Sequence, residues 1–128
     1  MLVGVPKEIK THEYRVGLVP GSVRELIHHG HQVVVESHAG EGSGFPDAAY
    51  QAVGARIAPD AATVFAEADM VIKVKEPSAA EIAMLRPGQV LFTYLHLAAD
   101  KAQTEGLLAS GCIAIAYETV TDARGGLP

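Results

Sequence analysis

Arg15, Lys75 and His96 each stand at or just beyond the end of a separate apolar run: LVGVP, MVIKVK and VLFTYLH. If those runs are parallel strands, all three residues meet at the carboxyl edge of one sheet, where open α/β sheets bind their ligands. An Arg guanidinium is a planar fork that matches a carboxylate at two points. A Lys at a strand end can hold a carbonyl oxygen. An imidazole titrates near neutral pH and suits general acid–base work. Together they fit a small anionic carbonyl compound. Singly, each has a bland alternative: a solvated loop Arg, a snorkelling Lys, a capping His. Their shared position favours chemistry.

Other suggestive residues carry less. Lys73 lies deeper in the same run as Lys75, and the reading for it is a structural ion pair. Strand alternation would put Lys73 and Lys75 on one face. His28, His29 and His31 cluster at a predicted helix end, where positive charge complements the dipole, and they lack zinc-type spacing. No metal site is expected. Gly40, Gly42 and Gly44 follow a strand in the spacing G-x-G-x-G rather than G-x-G-x-x-G. Phe45 and Pro46 come where a helix should expose its amides, so this is a tight structural loop and no dinucleotide cradle. Cys112 opens the run CIAIAY and reads as a packed thiol.

These residues need a frame to hold them. Apolar runs at 2–6, 32–37, 70–75, 89–95 and 112–117 are predicted strands, with a short one at 56–58. Between them lie helical stretches. GSVRELIHHG carries a Ser22–Glu25 capping-box pattern and a Gly30 stop. A short helix starts at Asp47, and Asp60 caps another. Ser78 with Glu81 forms a second capping box. Asp100 opens the last helix and Gly111 stops it. Alternation of this kind predicts an α/β fold: a mostly parallel, doubly wound sheet with helices on both faces, Rossmann-like or flavodoxin-like.

The bulk numbers set limits. A chain of 128 residues amounts to one domain, and 48% apolar content is ordinary for a globular protein. A net charge of −5 argues against nucleic acid. No apolar run approaches the roughly 18 residues that span a membrane. One cysteine and no signal-peptide pattern lead to an expectation of a cytoplasmic protein. The final TDARGGLP ends on turn residues, which suggests a continuation.

The blocks GVPKEIKTHEYRVGLVPGSV, AGEGSGFPDAAY, VIKVKEP and LFTYLHLA resemble, in order, those of the alanine dehydrogenases. The resemblance runs along essentially the whole chain, and Thr11-His12 departs from the polar amides often found there. It implies NAD-dependent conversion of L-alanine and water to pyruvate and ammonium. By the same resemblance Arg15 binds the substrate carboxylate, Lys75 binds the carbonyl or amino group and stabilises charge on it, and His96 is the acid–base. It further implies that residues 1–128 are the first segment of a substrate domain, with NAD held by a Rossmann domain absent from this chain. The fragment alone is then expected to be inactive, and the complete protein a homo-oligomer, hexameric in the family. Two alternatives are the matching domain of a proton-translocating transhydrogenase, which needs neither Lys75 nor His96, and a non-enzymatic keto-acid-binding module.

Overall fold

In the computed structural model, which describes residues 1–127, six strands form one sheet in the order β3-β2-β1-β4-β5-β6. The strands are β1 (Leu2–Val5), β2 (Gln32–Glu36), β3 (Arg56–Ala58), β4 (Met70–Ile72), β5 (Val90–Thr93) and β6 (Ile113–Ala116). Every pairing is parallel, so the expected "mostly parallel" sheet is wholly so. Five helices connect them: α1 (Pro20–His28), α2 (Asp47–Ala52), α3 (Ala61–Glu67), α4 (Ala79–Met84) and α5 (Lys101–Ser110).

Strand β2 shows why the strands read as apolar runs. Val33 and Val35 pack with Val23 of α1 and Tyr50 of α2 on one face. Val34 packs with Val64 of α3 on the other. A parallel sheet covered on both sides needs apolar residues at every position. Phe65, Val71, Leu91 and Leu107 continue the core under α3 and α5. Gly4 lets α3 approach closely: a Cβ there would stand 2.7 Å from that of Ala68.

Most predicted caps form. The side chains of Asp60 and Asp100 accept from the amides of Thr63 and Gln103, and Ser78 with Glu81 makes a reciprocal capping box. Gly30 and Gly111 follow α1 and α5 with φ of 87° and 72°. The Ser22–Glu25 box does not form. Helix α1 begins two residues earlier, at Pro20, behind Val19 with no side-chain cap. Proline at the first turn supplies a helical φ and brings no amide needing a partner, so the start lies ahead of Ser22.

The strands are shorter than the apolar runs. β4 stops at Ile72 and β5 at Thr93. The alternation expected to align Lys73 with Lys75 therefore stops applying before either residue. Helices α1 and α2 stand over the β1–β3 half. On that same face Ile113 and Ile115 of β6, the latter paired in register with Phe92, remain 53% and 40% exposed.

Candidate functional site

The strand order changes direction between β1 and β4, so the loops leaving these two neighbours run to opposite sides and open a crevice at their carboxyl ends. The loop after β1 carries Arg15. The segment after β4 carries Lys75. The two line one cleft of about 350 Å³ with Thr11, His12, Glu13 and Tyr14.

Arg15 is exposed, yet its orientation is fixed. Glu13 accepts from Nε at 2.9 Å, from Nη2 at 2.7 Å and from the Arg15 amide at 3.0 Å. The Glu13 side chain is only 6% exposed. The Arg15 hydrogen bond holds the Glu13 carboxyl down to about 2 against the upward pull of burial, and Glu13 in turn pushes the guanidinium above its ordinary value. Glu13 takes the Nε side of the fork, which leaves N–H groups on Nη1 and Nη2 to donate elsewhere.

Lys75 is half-buried. Its main chain is held twice: its amide donates to Glu8 Oε1 at 2.6 Å, and its carbonyl accepts from Thr93 Oγ1 at 2.9 Å. Among the described residues its ammonium makes no hydrogen bond or ion pair. Lys73 is the structural ion pair expected of it. It is 1% exposed and lies between Glu8 and Glu81, the latter at 3.1 Å.

His96 stands apart from the Arg15–Lys75 cleft. It follows β5 by three residues and adopts the left-handed conformation, φ 48° and ψ 43°. Its amide donates to Glu118 at 3.0 Å, and that carboxylate also accepts from Leu95 at 3.0 Å. Burial pushes the Glu118 carboxyl up, but these amides pull it lower than a free carboxyl. The imidazole stacks on Tyr94, 6.0 Å between centroids and 17° between planes. The Tyr94 amide donates to the Val74 carbonyl at 3.2 Å, next to Lys75. All three residues thus stand on the same edge. Arg15 and Lys75 share a cleft, and His96 adjoins them through Tyr94.

Glu8, Glu13 and Glu118 were not singled out from the sequence. Each holds one of the three cationic or titratable residues. Glu13 carried a faint signal, an acid two residues before Arg15. The contacts of Glu8 and Glu118 span 67 and 22 residues, and spacing says nothing at that range.

No dinucleotide cradle fits among the described residues. In a sheet of this order the pyrophosphate site is a tight glycine turn between β1 and α1. Here residues 6–19 intervene, and α1 opens with proline, which has no amide to offer. The Gly40–Gly44 stretch is a single 3-10 turn, as its sequence suggested. Its glycines serve packing: a Cβ on Gly40 would meet the Tyr50 ring at 2.6 Å, and one on Gly42 the Tyr14 carbonyl at 2.8 Å. No three His, Cys, Asp or Glu side chains gather as a metal site among the described residues. No helix in this part is long and apolar enough to cross a membrane.

Residues 4–128 match the family model "Alanine dehydrogenase/PNT, N-terminal domain". The chain belongs to this family. Within it, the chain is 56% identical over 128 residues to alanine dehydrogenase of Halomonas elongata, covering all of this chain and 34% of that protein. It is 52% identical over 128 residues to alanine dehydrogenase of Mycobacterium tuberculosis, with the same coverage. Among solved structures, an L-alanine dehydrogenase superposes with a TM-score of 0.96 at 51% identity, covering all of this chain and 35% of that one. A transhydrogenase from Sinorhizobium meliloti superposes with a TM-score of 0.90 at 34% identity, over 97% of this chain and 37% of that one. The chain spans about a third of the length of the curated relatives it matches.

Proposed function

We propose that these residues form the substrate-binding part of an NAD-dependent alanine dehydrogenase, which converts L-alanine, NAD and water to pyruvate, ammonium, NADH and a proton. The observation that carries the proposal is the cleft at the sheet's change of direction, lined by a Glu13-oriented guanidinium and an unpaired Lys75 ammonium. Arg15 binds the substrate carboxylate through its remaining N–H groups. Lys75 donates to the carbonyl oxygen, or faces the amino group, and stabilises charge on it. His96 takes a proton from the water that attacks the imine and returns one to the departing ammonia.

NAD lies outside this arrangement, because nothing among the described residues fits it. The proposal assigns it to a second domain, makes residues 1–128 the first segment of the substrate domain, and leaves the isolated segment without turnover. Assembly into a homo-oligomer and a cytoplasmic location, consistent with a lone Cys112, belong to the same proposal.

The test is turnover of alanine with NAD by the complete protein carrying these residues. Lys75→Ala and His96→Ala should each lower kcat by about 10² to 10⁴. The likeness to a transhydrogenase supplies the competing reading. Transhydrogenation that survives both substitutions, with no alanine turnover in the parent, would establish that reading instead. Light scattering on the same protein checks the assembly.

A further inference from the structure

We infer that Glu8, with Thr93, is a positioning residue for Lys75, a role that rests on the functional reading above. Beyond Ile72 the chain leaves the sheet on the side of β1, which has ended at Val5. On its other side the segment still touches β5, with the Lys73 amide donating to Phe92 and the Tyr94 amide to Val74. The amides of Val74 and Lys75 have no strand to accept them. One oxygen of Glu8 takes both, at 2.8 and 2.6 Å, and the other oxygen takes the Lys73 ammonium. Thr93 Oγ1 closes the far side by donating to the Lys75 carbonyl at 2.9 Å.

Glu8 and Thr93 are themselves buried, 7% and 0% exposed. The peptide groups flanking the Lys75 Cα are thus tied to two buried side chains from different strands' ends, while the ammonium they carry is left unpaired. That is the arrangement of a cation set in place before a ligand arrives. A rigid main chain costs the ligand nothing to order, and small displacements at such a site cost orders of magnitude in rate. Glu8 meets Lys75 at its main-chain amide and does not itself line the cleft that Arg15 and Lys75 share. It makes no use of the cleft's own donors.

The experiment uses the complete enzyme and five variants: Glu8→Gln, Thr93→Val, Lys75→Met and the two doubles with Lys75→Met. Thr93→Val keeps shape and leaves the buried Lys73 cluster alone, so it holds if Glu8→Gln fails to fold. Glu8→Gln and Thr93→Val should each lower kcat/KM for pyruvate by about 10- to 100-fold, measured well below the melting temperature of each variant. In the Lys75→Met background the same changes should cost less than about twofold, since independent sites would multiply. Losses that multiply would overturn the inference. Should Lys75→Met alone abolish turnover, hydrogen exchange at the Lys75 amide decides: faster exchange in Thr93→Val supports the clamp, and unchanged exchange with full activity overturns it. A parent enzyme inert toward alanine and pyruvate sinks the functional reading, and the exchange result still judges the clamp separately.

Discussion

The Glu13 carboxylate grips Arg15 at three points, two on the guanidinium and one on the main chain, and so folds the side chain back along its own loop. Glu13→Gln keeps the shape and removes the charge. The pair is exposed on the Arg15 side, so its effect is sought in the orientation of the guanidinium. Pyruvate affinity should fall about 10-fold or more in the variant, measured by calorimetry on the complete enzyme. Acid sensitivity should change as well. The Glu13 carboxyl is depressed from 4.5 to about 2 in the folded state, chiefly by the Arg15 hydrogen bond. Its stabilising effect is therefore present above pH 4.5 and is lost as pH falls from there toward 2. Urea midpoints at pH 5 and pH 3 should drop further for the parent than for Glu13→Gln. Equal drops would show that the pair contributes nothing to stability.

Ser22 and Ser78 both begin a Ser-x-x-Glu pattern, and only Ser78 caps a helix. Ser78→Ala should cost about 1 kcal/mol in urea unfolding. Ser22→Ala should fall within about 0.5 kcal/mol of the parent. A similar cost at both would mean that Ser22 also caps α1.

That contrast marks where the sequence was readable. Local chemistry was legible: the caps at Asp60, Ser78 and Asp100, the stops at Gly30 and Gly111, and the apolar runs whose valines face both sides of the sheet. So was the bringing together of Arg15 and Lys75, because it needs only strand direction and the order of the loops. Strand ends were not legible. The run MVIKVK stays apolar past Ile72 because Val74 is buried in a bend, and burial outside a strand looks the same as burial inside one. The holding carboxylates escaped for another reason. Glu8 and Glu118 bind main-chain amides, and every residue but proline has one, so no partner type announces the contact.

Gly42 stands under the loop that carries Arg15. A Cβ there would lie 2.8 Å from the Tyr14 carbonyl, which also accepts from Ser43 Oγ at 2.8 Å. Gly42→Ala should force this loop outward, costing about 1–3 kcal/mol of stability. It should also weaken pyruvate binding, although residue 42 donates nothing to the Arg15–Lys75 cleft. Gly21→Ala meets no atom within 4 Å and serves as the control. Melting curves and calorimetry on both variants check the pair, and equal behaviour would separate the glycine loop from the site.

Ile113 and Ile115 leave apolar side chains exposed on the edge strand of these residues. One end of the sheet offers oily side chains and an unpaired strand edge, a template for edge-to-edge association. The net charge of −5 opposes such contacts through repulsion between copies. That repulsion reaches only about 10 Å at 0.1 M salt and less above it, whereas the attraction between apolar faces is not screened. Raising the salt should therefore favour association of these 128 residues, read as light scattering that grows with ionic strength.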